Sequence, residues 1–306
     1  MRFGLVGLGR MGANLARAAI DHGHDVVGYD SVETIRDELG GEGMETADSL
    51  QALVRRLKPP RTVLVYVPHG EPTEQVCEQL RDLVSADDVV VDGGNSHWED
   101  SRRRHAEFAL EDIRFLDIGT SGGLPGARHG ACFMAGGERD TYDRIRPLLL
   151  DLAFDERAVL FAGPPGAGHF VKLIHNAIEF GMVEAIAEGA EMLMRAEYSL
   201  DLPAVFDNWS HGSVIRSWLV ELMRDGLRMS RDPQHLSTYV EDTGEVKWVL
   251  SWALERDIPS LVISDSQQAL MSYRDLDSPS AKAVALLRHG YGGHPVHARS
   301  EQLART

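Results

Sequence analysis

Phe3-Gly4-Leu5-Val6-Gly7-Leu8-Gly9-Arg10-Met11-Gly12 opens the chain with a short apolar run that breaks into glycines at Gly-x-Gly-x-x-Gly spacing, ahead of a helix-forming segment. Backbone geometry explains how this order holds a phosphate. Gly7 permits a tight turn, Gly9 lets a pyrophosphate approach the main chain, and Gly12 brings the helix close while its first N–H groups face the anion. An isolated match reads better as an ordinary glycine-rich turn; the strand before it and the helix after it favour a dinucleotide site. Gly7, Leu8, Gly9, Arg10, Met11 and Gly12 are thus the expected cofactor contacts. Asp30 follows Gly7 by 23 residues and ends the second expected strand. A carboxylate there accepts hydrogen bonds from ribose hydroxyls and repels a 2′-phosphate, so NAD is expected over NADP, with Arg36 as a partial accommodation for the phosphate.

Outward from this turn, short β-branched runs alternate with helical stretches. Strands are expected at Phe3–Val6, Asp25–Tyr29, Thr62–Val67, Val89–Asp92, Arg114–Asp117, Cys132–Ala135 and Val159–Ala162. This βαβ alternation predicts an α/β domain of Rossmann type, a doubly wound and largely parallel sheet. From Gly168 onward Leu, Met, Ala, Glu and Arg recur at helical spacing and strand-like alternation stops, which predicts an all-α second domain. The turn formers Gly163-Pro164-Pro165-Gly166-Ala167-Gly168 mark the change. The expected division is a cofactor domain over 1–165 and a helical substrate and dimerisation domain over 166–306, ending in a Gly-, His- and Arg-rich tail.

Composition narrows the function classes. Among 306 residues, 31 Lys and Arg against 47 Asp and Glu leave a formal charge of −16, which disfavours a polyanionic partner such as nucleic acid. No apolar run reaches the roughly 18 residues of a membrane span. Cys77 and Cys132 build no disulfide framework, and Met1-Arg2-Phe3 runs straight into strand-like sequence, so a cytoplasmic protein is expected. No Cys and His cluster has zinc spacing, and no metal is expected.

The segment from Gly168 to Glu179 places Lys172, His175, Asn176 and Glu179 at i, i+3, i+4 and i+7, one polar stripe on an otherwise apolar helix. Glu184, Glu188 and Glu191 form a second stripe. A helix packed on a core needs only one solvent face, so one stripe is a candidate pocket lining. Spacing alone fits a surface helix with Lys172–Asn176 and His175–Glu179 contacts equally well.

Four blocks separate these readings: GLVGLGRMGANLARA from Gly4, VVDGGNSHWEDSRRR from Val90, DIGTSGGLPGARHG from Asp117 and GAGHFVKLIHNAIEFG from Gly166. With them the chain resembles the short form of the decarboxylating 6-phosphogluconate dehydrogenases over nearly its whole length. The resemblance implies Lys172 as general base and Glu179 as general acid. It implies substrate contacts at Asn95, Ser121, Gly122, Gly123, His175 and Asn176, with Asn95 also near the nicotinamide, and a cofactor loop at Val67, Pro68 and His69. A fifth block, Arg288-His289-Gly290-Tyr291-Gly292-Gly293-His294, is similar to the family's C-terminal Arg and His that enter the neighbouring subunit's site. A homodimer or homotetramer completed by Arg288 and His294 is therefore expected.

The implied reaction oxidises a sugar-acid hydroxyl and releases CO2, with Lys172 neutral at the outset and Glu179 protonated through burial beside a group such as Phe180. The phosphate contacts depart from the family: Phe180 replaces a tyrosine, Thr243-Gly244-Glu245 falls near a Lys-Gly-Thr contact, and Gln268 falls near an arginine. Two rivals follow. One is a β-hydroxyacid dehydrogenase of the 3-hydroxyisobutyrate or tartronate-semialdehyde type, which oxidises without decarboxylation. The other is a non-enzymatic dinucleotide-sensing protein. Trp209, Trp218, Trp248 and Trp252 are read as core packing or interface anchors.

Overall fold

The structure is a computed structural model that describes residues 1–229, 239–273 and 283. Strand and helix alternate through β1 (Arg2–Val6), α1 (Arg10–Asp21), β2 (Asp25–Tyr29), α2 (Glu33–Gly41), β3 (Glu45–Thr46), α3 (Leu50–Arg55), β4 (Thr62–Val65) and α4 (Glu71–Leu83). They continue through β5 (Val89–Asp92), α5 (Trp98–Ala109), β6 (Arg114–Ser121), α6 (Gly123–His129), β7 (Cys132–Gly137), α7 (Arg139–Leu152) and β8 (Val159–Gly163). The strands form one sheet in the order β3-β2-β1-β4-β5-β6-β7-β8. Every pairing is parallel except β6 with β7, so β7 and β8 run against the other six.

The period of two along each strand builds a core on each face of the sheet. Leu64, Val89 and Val91 join Phe3, Leu5, Phe133 and Ile145 on one side; Val63, Val65 and Val90 join Leu53, Leu80, Phe108 and Phe115 on the other. The seven expected strands are present. β3 was not expected, because two residues carry no periodicity, and β6 runs on to Ser121.

After β8 come α8 (Ala167–Met194), α9 (Leu202–Ser210), α10 (Trp218–Met229), α11 (Glu245–Leu254) and α12 (Leu261–Ser272). By contact density the chain forms two compact units, Met1–Glu179 with Glu245–Ile258, and Phe180–Gly244 with Pro259–Thr306. These bounds differ from the 165/166 division for a physical reason. A Cβ on Gly119 of β6 would lie 2.3 Å from the Lys172 Cβ, and one on Gly168 would lie 2.4 Å from the Asp117 carbonyl oxygen. The first half of α8 is therefore seated directly on the sheet, and the turn formers before it do not separate it from the strands. Within the second unit, Phe206, Trp209, Val220, Met223 and Leu227 pack α9 and α10 around Ala190. Among the described residues no helix is long and apolar enough to cross a membrane, and no group of three His, Cys, Asp or Glu is placed to hold a metal ion.

Candidate active site

The cofactor cleft and the polar corner beside it lie in the first unit, at the carboxyl ends of β1, β2, β4, β5 and β6. Strand order reverses between β1 and β4, and the crevice outside such a reversal is where open α/β sheets take ligands. A cleft of about 320 Å³ occupies this position, lined among others by Gly7, Gly9, Asp30, Val67 and Pro68.

The three glycines of the turn do different things. Gly7 has φ of +91°, which only glycine adopts freely, and a Cβ on Gly12 would lie 1.9 Å from the Gly7 carbonyl oxygen. Both serve the turn itself. Gly9 has φ −63° and nothing within 4 Å of an added Cβ, so the start of α1 has open space beside it, wide enough for an anion to approach the helix N–H groups. Asp30 lines the cleft while bracing the turn: its Oδ2 accepts from the Leu8 N–H at 2.8 Å and its Oδ1 from the Val32 N–H at 2.9 Å. Each oxygen retains acceptor capacity. Arg36 is committed to the Asp30 and Ser31 carbonyls, at 2.7 and 3.3 Å. The Leu8 and Met11 side chains join the core and Arg10 is exposed, so Leu8 and Met11 offer a ligand only their backbone.

His69 does not line the cleft directly; its ring meets Trp248 of α11 edge-on at 5.0 Å, and Trp248 meets His97 at the same distance. Trp252 packs on Phe170, which packs on Trp98. The tryptophans of α11 thus hold this helix against the β5 loop and the start of α8. Tyr66, also unanticipated, is a half-buried tyrosine just past the end of β4 whose hydroxyl lies 3.0 Å from Thr120 Oγ1; desolvation pushes its pKa up to about 12.

The loop after β5 brings Asn95 into the site on a buried ionic footing. Arg104, 1% exposed, donates to Asp92 Oδ2 at 3.1 Å and to Glu74 at 2.9 Å, while Asp92 Oδ1 accepts from the Gly94 N–H at 3.1 Å. Arg103 and Arg104 hold the Glu74 carboxyl at about 2. The start of α8 is fixed by Asp117 of β6, whose two carboxylate oxygens accept from the Gly166 and His169 N–H groups at 2.7 and 2.8 Å.

The polar stripe of α8 faces this corner. Lys172 Nζ lies 3.4 Å from His175 Nδ1, His175 Nε2 lies 3.0 Å from Ser121 Oγ, and Asn176 Nδ2 donates to Asn95 Oδ1 at 3.4 Å. Glu179 Oε2 is 3.8 Å from His175 Nδ1. Burial pushes the Lys172 pKa down, against the opposing charges of Glu179, Cys132 and Glu245. His175 is also pushed down, first by burial and then by Lys172. The expected burial of Glu179 is not found, since its side chain is 44% exposed. Gly122 and Gly123 follow Ser121 with φ of 114° and 61°, turning the chain into α6.

Two of the positions at which the phosphate contacts depart from the family have partners within the chain. Glu245 is buried and accepts from Asn95 Nδ2 at 2.5 Å, a contact across 150 residues of sequence that no local pattern announces. Gln268 is exposed on α12, 3.3 Å from Ser264 Oγ. Arg288 and His294 lie outside the described residues.

Two family models match the chain: the NAD binding domain of 6-phosphogluconate dehydrogenase over residues 2–161, and the 6-phosphogluconate dehydrogenase C-terminal domain over residues 168–295. YqeC of Bacillus subtilis is 42% identical over 296 residues, covering 96% of this chain and 98% of that protein. The NAD(+)-dependent, decarboxylating 6-phosphogluconate dehydrogenase of Haloferax volcanii is 37% identical over 297 residues, covering 97% and 98%. Among solved structures, Plasmodium falciparum 6-phosphogluconate dehydrogenase has the same fold, with a TM-score of 0.83 at 24% identity over 97% of this chain and 66% of its own.

Proposed function

We propose that this chain, which belongs to the 6-phosphogluconate dehydrogenase family, is a cytoplasmic oxidoreductase that converts 6-phospho-D-gluconate to D-ribulose 5-phosphate and CO2 with reduction of NAD. The observation that carries the reading is the buried Lys172 amine, depressed in pKa and grouped with Ser121, His175, Asn176 and Asn95 beside the cofactor cleft. A neutral amine in that position can take the proton of the substrate's C3 hydroxyl.

Gly7 to Gly12, Asp30, Val67 and Pro68 would hold NAD, with His69 bracing the same loop against Trp248 and Asn95 near the nicotinamide. When bound, NAD supplies the acceptor for the hydride leaving C3. Lys172, now protonated, faces the new ketone oxygen and donates to it as the carboxylate departs as CO2 and an enediol forms. Glu179 then delivers a proton to the carbon that lost CO2, giving the ketose. Ser121, Gly122, Gly123, His175 and Asn176 orient the sugar acid. Arg288 and His294 complete the site of a neighbouring subunit in a dimer or tetramer.

The test is a panel of sugar acids with and without a terminal phosphate, assayed with both nicotinamide cofactors while NADH and CO2 are recorded together. Equimolar release on 6-phosphogluconate is expected. NADH without CO2 would assign simple β-hydroxyacid oxidation, and binding without turnover on every acid would assign a sensor.

Asp30 sets the cofactor choice in this reading. Asp30→Ala should raise KM for NAD and lower the NAD to NADP ratio of kcat/KM by about tenfold or more, because like charge no longer opposes the 2′-phosphate. An unchanged ratio would restrict Asp30 to bracing the turn through Leu8 and Val32.

A further inference from the structure

We infer that Glu245 is a positioning residue whose carboxylate fixes the direction of a hydrogen-bond chain running through Asn95, Asn176 and His175 to Lys172. The inference rests on the proposed role of Lys172 as base and deepens it.

Glu245, the first residue of α11, is 8% exposed and accepts from Asn95 Nδ2 at 2.5 Å. A carboxylate has no hydrogen to give, so the Asn95 amide must turn its NH2 toward Glu245 and its oxygen away. A flipped amide would set oxygen against oxygen. Asn95 Oδ1 therefore faces Asn176, whose Nδ2 donates to it at 3.4 Å. Asn176 in turn presents its Oδ1 to His175 Nδ1, at 3.4 Å, and an acceptor there requires the hydrogen on Nδ1. In neutral imidazole the other nitrogen is then an acceptor, and Nε2 takes the Ser121 hydroxyl at 3.0 Å.

The last link reaches the amine. His175 Nδ1 also lies 3.4 Å from Lys172 Nζ, so its single hydrogen is shared between the Asn176 oxygen and the lone pair of a neutral amine, whereas it opposes the N–H bonds of an ammonium. The tautomer imposed from Glu245 thus favours the form of Lys172 that can accept a proton. The charge of Glu245 acts on Lys172 the other way, as do those of Glu179 and Cys132. What this residue contributes to the site is accordingly direction, and its charge is incidental. Glutamine can offer an oxygen to Asn95 and keep the direction; alanine cannot.

Two measurements test this. Glu245→Ala should lower kcat on 6-phosphogluconate by about tenfold with NAD binding retained, since a misdirected base costs the chemical step. Glu245→Gln should return kcat to within about threefold of the native value, because its oxygen can still accept from Asn95. Native kcat in folded Glu245→Ala, or equal loss in both variants, would overturn the inference. Should Glu245→Ala fail to fold, nitrogen-15 NMR of the native protein decides. The His175 signal, assigned by its loss in His175→Asn, should report the Nδ1–H tautomer, and the Nε2–H tautomer would overturn the assignment. Activity surviving in Lys172→Ala would instead remove the base itself, which keeps the two failures apart.

Discussion

Lys172→Ala should reduce kcat by about 10²–10⁴-fold while leaving NAD affinity nearly unchanged, because the role proposed for the side chain is proton transfer and it lies apart from the glycine turn. Lys172→Arg should be as defective. An arginine keeps the positive charge but does not give up its proton, so the pair of variants separates a base from a fixed cation. The native pH profile carries the same sign. A base works when unprotonated, so kcat/KM should fall as pH drops through the Lys172 pKa, and burial places that acidic limb below the ordinary lysine value of 10.5. Initial rates across pH, with cofactor binding followed by fluorescence, check all three expectations. Substantial turnover in Lys172→Ala would remove this lysine from the chemistry.

Asp117→Ala should be the most destabilising single change on the sheet side of the site. Its carboxylate is 1% exposed and satisfies two N–H groups at the start of α8. Alanine leaves both donors buried without that acceptor, at about 1–3 kcal/mol each. The measurement is a chemical denaturation midpoint set beside kcat. Both should fall, since the helix anchored by Asp117 carries Lys172 and His175. Asp117→Asn, which keeps one acceptor oxygen, should lie between. A native midpoint in the alanine variant would show that α8 is held by its close packing on β6 at Gly119 instead.

The legible part of this molecule is what repeats locally. Alternating Val-rich runs announce the strands because parallel strands are buried on both faces. The glycine turn announces itself by backbone demands, and the α8 stripe by helical spacing. Contacts made across the chain leave no such trace. Asn95 and Glu245 stand 150 positions apart, and neither residue's neighbours hint at the other. Asp117 reads as the end of an ordinary strand until α8 is seen resting on it. The turn formers at 163–168 mark where strands stop, whereas the compact units divide within α8 after Glu179, because packing against small residues ignores a change in composition. Glu179 was expected to be buried by its neighbours in sequence and is instead half-exposed beside His175.

The unequal surroundings of the three glycines bear on how such turns should be interpreted in any descendant of this chain. A lineage that abandoned the dinucleotide would still need Gly7 and Gly12, since the bare polypeptide cannot close its first loop without them. Gly9 is under no such obligation, and drift would erase it first. Survival of the outer pair testifies to architecture alone; the middle glycine is the witness for occupancy.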